Sequence, residues 1–225
     1  MTDSGLQRLN MVESQVRPSD VTDRRIIKAM LDVPREAFVP SALASLAYME
    51  EPVSVAGKTS NGVESTRQLL APRTFAKLVQ LAQIDEGSVV LDVGCATGYS
   101  TAVLAKIAAH VVAVESDKQL AEIAMRTLQK LGIENASVVV APLVAGVPAR
   151  APFDAIVLNG SVPAVPDGLF GQLKDGARLV TIIADGALSR AHVTLRTKEN
   201  FDARPAFEAA AAQLPGFEKP AAFVF

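Results

Sequence analysis

The chain has little of what disulfides and metal sites require: one cysteine, Cys95, and two histidines, His110 and His192, which lie far apart in the sequence. A single cysteine excludes an internal disulfide and fits a reducing compartment such as the cytoplasm. Two distant histidines argue against a histidine-based metal site, and we predict no metal.

The sequence also lacks a large excess of positive or negative residues, and it lacks long apolar runs. The formal net charge of −2 lacks the basic excess that a general nucleic-acid binder needs. No apolar run reaches the roughly 18 residues of a membrane span, and residues 1–15 contain no signal-peptide core. We therefore expect a cytoplasmic protein without nucleic-acid or membrane partners, and composition does not predict its oligomeric state.

The most informative stretch of the sequence is residues 88–117, whose pattern predicts a strand, a glycine turn, a helix and a second strand. Residues 89–93 are an apolar run typical of a buried parallel strand, and Gly94 and Gly98 follow. Apolar residues of 99–109 group on one helical side, and 110–114 form a second apolar run that ends at Glu115. This pattern predicts a βαβ unit.

The turn of this unit predicts a bound nucleoside. Gly94 and Gly98 have no Cβ and let the backbone approach a ligand closely. Glu115 lies about 20 residues after the first glycine, the spacing at which a carboxylate takes ribose hydroxyls. The glycines depart from the G-x-G-x-x-G pattern, which makes a nicotinamide-linked oxidoreductase the least favoured enzyme. A tight turn without any ligand is the simpler alternative.

Asp92 stands two residues before Gly94, so the loop reads acid-x-Gly-x-Ala-x-Gly. With Glu115 downstream, this resembles motif I of the S-adenosylmethionine-dependent methyltransferases. The resemblance implies S-adenosyl-L-methionine as the cofactor and S-adenosylhomocysteine as its product. The implied cofactor contacts are Asp92, Gly94, Cys95, Ala96, Thr97, Gly98, Tyr99, Glu115, Leu143 and Asn159. Cys95 could also be a nucleophile, because a thiol at a helix N-terminus has a lowered pKa.

A second resemblance narrows the family. Residues 33–40 read VPREAFVP and residues 151–156 read APFDAI, which are similar to segments of the protein-L-isoaspartate O-methyltransferases. The resemblance implies methylation of the carboxylate of isoaspartyl residues in damaged proteins or peptides. Taken alone, residues 33–40 could equally be a proline-bounded linker that packs Phe38 and Val39 into the core.

The substrate loop departs from that family. Residues 57–60 resemble the start of its G-x-T-I-S-x-P segment, which makes Ser60 and Thr59 the candidates for positioning the accepting carboxylate. Some nine extra residues follow before Ala71, and residues 141–143 replace the family's Gly-Asp-Gly near the adenine. Lys58 and Arg67 could meet a substrate carboxylate or be solvated charges.

We predict an α/β fold with a doubly wound, mostly parallel, Rossmann-like sheet, an antiparallel C-terminal strand and an N-terminal helical extension. Residues 1–225 form one domain, with residues 1–72 as extension and substrate loop and 73–225 as the cofactor-binding core. Helices are predicted at 23–31, 41–48, 72–84 and 116–131, with Ser19 or Thr22 capping the first. Residues 201–214 are ambiguous, since propensity favours a helix and the resemblance a strand, which we prefer.

Two other functions stay open at this level. The altered loop is compatible with a cofactor-binding protein that has a regulatory or scaffolding role and no activity. The same fold also serves methylation of small molecules, and fold alone does not separate the two.

Overall fold

The computed structural model describes residues 4–55, 67–185 and 188–218. A seven-stranded sheet in the order β5-β4-β3-β6-β7-β8-β9 forms its centre, and a two-stranded antiparallel sheet, β1-β2, lies apart. The strands are β1 Val53–Ser54, β2 Gln68–Leu69, β3 Val89–Val93, β4 His110–Glu115, β5 Ala136–Val140, β6 Phe153–Val162, β7 Leu173–Asp185, β8 Leu188–Thr197 and β9 Asn200–Glu208. Strands β3 to β7 pair in parallel, whereas β8 and β9 are antiparallel.

The α-helices are α1 Ser4–Met11, α2 Arg24–Asp32, α3 Pro72–Ala82, α4 Tyr99–Ala105, α5 Lys118–Lys130 and α6 Asp167–Phe170. Asp23 caps α2 by accepting a hydrogen bond from the Arg25 amide at 2.8 Å. The predicted caps Ser19 and Thr22 were therefore wrong. An aspartate directly before the first turn satisfies a free N–H that those residues, placed further upstream, do not.

The fold class is confirmed, with two differences in detail. The antiparallel end of the sheet has two strands, and β9 ends at Glu208, so only part of the predicted strand 201–214 is in the sheet. The segment at 41–48 is a 3₁₀-helix, Ser41–Leu46. The predicted edge strand at 221–225 lies outside the described residues.

Sheet order places a ligand crevice beside β3. Its neighbours β4 and β6 lie on opposite sides, so the chain winds outward in both directions from this strand. In such sheets, ligands bind outside the carboxyl ends of the strands at the point where the winding reverses. Residues 94–98, Glu115 and Asn159 all lie at this edge. Within the described ranges, no helix is long and apolar enough to cross a bilayer.

Candidate active site

The turn after β3 requires its glycines. Gly94 and Gly98 have φ angles of 76° and 96°, which residues with a Cβ adopt at a cost. A Cβ on Gly98 would also lie 3.0 Å from the Ala124 Cβ of α5. Ala96 takes a positive φ of 50° as well. The loop is therefore held tightly between β3, β4 and α5.

Glu115 is fully buried at the end of β4 and accepts hydrogen bonds on both carboxylate oxygens. Oε2 accepts from the Ala96 amide at 2.8 Å and from Arg67 Nη2 at 2.6 Å. Oε1 accepts from the amides of Ser116 and Asp117 at 2.9 and 3.1 Å. The structure thus brings the predicted ribose-binding carboxylate to the glycine loop, and it is already paired there.

The buried side chain of Asp92, in β3, forms hydrogen bonds with residues of α4 and β6. It accepts hydrogen bonds from Ser100 Oγ at 2.8 Å, from Thr101 Oγ1 at 2.6 Å and from the Asn159 side-chain amide. Burial raises the pKa of this carboxyl to about 6, against the opposing effect of those hydrogen bonds. Asp92 and Asn159 therefore join β3, α4 and β6 beneath the loop.

The loop side chains Cys95, Thr97 and Tyr99 are all buried. Cys95 packs with Ala113 and Ala124, and burial raises the pKa of its thiol well above the usual value. Burial and the raised pKa of the thiol argue against the alternative of a reactive nucleophile. Tyr99 stacks beneath Arg35, whose guanidinium carbon lies 4.6 Å from the ring centroid.

Leu143 is buried in the 3₁₀ turn that follows β5. It contributes to a largely apolar groove of about 420 Å³. The lining residues are Ser116, Val140, Ala141, Pro142, Leu143, Val144, Pro215 and Gly216. This groove is where the resemblance puts the adenine.

Arg67 is not a solvated charge or a free substrate-binding group. Its side chain is buried and pairs with Glu115 across 48 positions of sequence. Leu214, from the segment after β9, is fully buried beside it. A Cβ built on Gly94 would lie 2.9 Å from Leu214 Cδ2 and 3.1 Å from Arg67 Nη2. Both side chains thus occupy the space in front of the glycine loop.

The space left at the loop is small. The cavity lined by Gly94, Cys95, Ala96, Tyr99 and Asn159 measures about 10 Å³, room for one water at most. The predicted positioning residues Ser60 and Thr59, and Lys58 beside them, lie outside the described residues.

Arg35 and Leu214 were not predicted as site residues, and Arg67 was predicted only as a possible substrate contact or a solvated charge. Arg35 is fully buried, donating to the carbonyl oxygens of Ala47 and Leu70 at 2.7 Å each, and burial lowers the pKa of its guanidinium. Its position inside the proline-bounded VPREAFVP segment was the available signal. For Arg67 and Leu214 the sequence offers none, because their contacts depend on tertiary structure alone.

Comparisons with known proteins agree with this fold. The family model described as protein-L-isoaspartate(D-aspartate) O-methyltransferase (PCMT) matches residues 7–206. A relative from Syntrophobacter fumaroxidans named protein-L-isoaspartate O-methyltransferase 1 is 36% identical over 178 residues, covering 79% of each chain.

Solved structures show the same likeness. One titled protein-L-isoaspartate O-methyltransferase matches with a TM-score of 0.80 at 27% identity, covering 93% of this chain and 66% of the other. A second, from Plasmodium falciparum, is titled as a putative enzyme of this kind in complex with S-adenosyl-L-homocysteine. Its TM-score is 0.73 at 19% identity, over 91% of this chain and 96% of the other, which shows the shared fold.

Proposed function

The chain belongs to the protein-L-isoaspartate(D-aspartate) O-methyltransferase family, and we propose that it is an S-adenosyl-L-methionine-dependent methyltransferase that esterifies the carboxylate of isoaspartyl residues in proteins or peptides. The observation that carries this proposal is the family match over residues 7–206, which includes the buried Glu115 beside the glycine loop. We place the protein in the cytoplasm, with residues 1–72 as extension and substrate loop and 73–225 as the cofactor-binding core.

The residues of the crevice fit the cofactor in their chemistry. Glu115 offers a carboxylate to ribose hydroxyls, and Gly94 lets the backbone come close to a ligand. Leu143 and its groove offer an apolar surface to a base. Asp92 and Asn159 hold the floor of the crevice in place through their mutual hydrogen bond. In the described conformation, however, Arg67 and Leu214 take the space in front of Gly94, so binding requires them to move.

The proposed reaction needs few catalytic groups. When bound, S-adenosyl-L-methionine supplies an electrophilic methyl group, and a carboxylate is already ionised at neutral pH. No general base is required of the chain. Its part is to align the accepting oxygen and to exclude water, and Ser60 and Thr59 are our candidates for that positioning.

The test is transfer of a labelled methyl group to a peptide that contains one isoaspartyl residue. We expect a base-labile methyl ester on this peptide and none on the same sequence with ordinary aspartate. Equal labelling of both peptides would overturn the specificity, and no labelling at saturating cofactor would overturn the activity. The matched peptide controls for methylation of other carboxylates.

A second function, cofactor binding without methyl transfer, is favoured by one specific observation. Some nine extra residues separate residues 57–60 from Ala71 and Pro72, so the loop that would position the accepting carboxylate departs from the pattern of the family. Saturable S-adenosylhomocysteine binding with no ester on the isoaspartyl peptide would support this alternative over the first.

A further inference from the structure

We propose that the Arg67 and Leu214 side chains form an internal plug that competes with the cofactor for the crevice, so that S-adenosyl-L-methionine binds only after the plug leaves. The inference rests on the proposed function and adds a regulatory contact to the same site. The plug comes from two ends of the crevice, one segment before α3 and one after β9. Its two parts carry different chemistry.

Arg67 occupies the carboxylate that a ribose would use. A carboxylate offers about four acceptor positions, and Glu115 accepts from Arg67 Nη2, from the amides of Ala96, Ser116 and Asp117 and, at 3.4 Å, from the Ser116 hydroxyl. The three amides belong to the loop and to the end of β4, so they are fixed. Arg67 is the one donor that comes from another segment. A ribose diol therefore gains access to Glu115 only by replacing the guanidinium.

Leu214 occupies the space that a ligand would cross. A Cβ on Gly160 would lie 2.7 Å from both Cγ and Cδ2 of Leu214, and one on Gly94 would lie 2.9 Å from Cδ2. Gly94 directly follows β3, and Gly160 lies inside the neighbouring strand β6, two residues before its end. The leucine methyl groups therefore sit directly against the two backbone positions that lack a Cβ.

Both parts of the plug are held by backbone hydrogen bonds that bind no ligand. The Leu214 amide donates to the Ser161 carbonyl oxygen at 2.9 Å, and the Ser161 amide donates to Ala212 O at 2.9 Å. The Val55 amide donates to Arg67 O at 3.1 Å. The segment after β9 thus pairs briefly with β6 through Ser161, and its own hydrogen bonds are not part of the seven-stranded sheet.

The experiment is calorimetric titration of the full-length protein and two variants with S-adenosylhomocysteine. Arg67→Met keeps an extended apolar side chain and removes the charge-assisted hydrogen bonds, whereas Leu214→Ala shortens the apolar part of the plug. We expect each variant to bind S-adenosylhomocysteine about tenfold more tightly than wild type. Contacts that stabilise the closed crevice must be broken before the ligand binds, and each variant removes some of them.

Two control variants test whether losing any arginine, or shortening any buried leucine, changes the affinity for the ligand. Arg150→Met removes an exposed arginine, and Leu128→Ala truncates a leucine of α5 that is buried to a similar degree. Both should bind with wild-type affinity. Hydrogen exchange of the ligand-free wild type adds a readout that needs no variant, because the Leu214 amide must be protected if the plug is closed.

The outcomes are distinct. Tighter binding by both variants with unchanged controls, and a protected Leu214 amide, supports the plug. Equal affinity of wild type and variants overturns the plug and leaves the proposed function standing. No binding by any of the proteins overturns the proposed function itself. A Leu214 amide that exchanges as fast as an unstructured peptide overturns the plug even if one variant fails to fold.

Discussion

Thr97 Oγ1 donates a hydrogen bond to the carbonyl oxygen of Phe38 at 2.5 Å, across 59 positions of sequence. This bond joins the glycine loop, which carried the methyltransferase motif I resemblance, to the VPREAFVP segment, which carried part of the family resemblance. Phe38 also packs edge-on against Tyr99 with ring centroids 5.7 Å apart. The N-terminal extension therefore contacts both the loop and the first residue of α4.

Thr97→Val tests that contact. Valine keeps the shape and leaves the buried Phe38 carbonyl without its donor, so we expect the free energy of unfolding to fall by about 1–3 kcal/mol. Urea unfolding measures it. Thr197→Val, on an exposed position of β8, is the control and should change stability by less than about 0.5 kcal/mol. Equal losses in the two variants would contradict a special role for the Thr97 bond.

The buried Asp92 predicts a pH dependence of stability. Its folded-state pKa, about 6, lies above the unfolded value near 4, so the folded state binds the proton more tightly. The contribution of Asp92 is therefore greatest below about pH 4 and is lost as pH rises through 6, in total of the order of 2–3 kcal/mol.

The difference between wild type and Asp92→Asn isolates this effect. Asp23 and Asp85 have lowered pKa values and change stability in the opposite direction, but they do so equally in both proteins. We expect the wild type to lose stability relative to the variant between pH 4 and 6 in urea unfolding. A constant difference over that range would contradict the raised pKa.

The Arg67–Glu115 pair predicts strong thermodynamic coupling. Glu115→Gln leaves a buried guanidinium without its carboxylate and should cost about 3–5 kcal/mol of unfolding free energy. Adding Arg67→Met should recover part of the loss, which a double-mutant cycle measures as about 1–3 kcal/mol of coupling. The half-exposed pair Arg17–Glu13 is the comparison and should couple by less than about 1 kcal/mol. Coupling no larger than in that surface pair would argue against a buried contact.

Gly160→Ala should expel the segment after β9. The new methyl group would lie 2.7 Å from Leu214 Cγ and 2.9 Å from the Ala212 carbonyl oxygen, both too close. We expect a loss of about 1–3 kcal/mol in unfolding free energy and faster exchange of the Leu214 amide. Gly168→Ala is the control, because no heavy atom lies within 4 Å of its Cβ position. Unchanged exchange in Gly160→Ala would show that Leu214 does not contact β6.

Local patterns were enough to predict the core of the fold. The apolar runs at 89–93 and 110–114 became parallel neighbours β3 and β4, and the spacing from Gly94 placed Glu115 at the loop. These inferences succeed because strand burial and a glycine turn are properties of short segments.

The contents of the crevice depend on contacts that no local pattern encodes. Residues 209–214 read as helix by propensity, yet backbone hydrogen bonds to Ser161 hold them in a non-helical conformation. Arg67 stands in a polar stretch that favours exposure, and the buried Glu115 overrides that preference. Both outcomes follow from tertiary partners, which the sequence alone does not identify.

Hydrogen exchange of residues 209–216 in the wild type, with and without saturating S-adenosylhomocysteine, tests the central claim most directly. Ligands that bind a preformed site slow the exchange of the residues around them. Here we expect the Leu214 amide to exchange faster when the ligand is bound, because the segment must leave its bonds to Ser161. If the Leu214 amide exchanges more slowly or at the same rate at ligand saturation, the claim that Arg67 and Leu214 must leave the crevice before the ligand binds is contradicted.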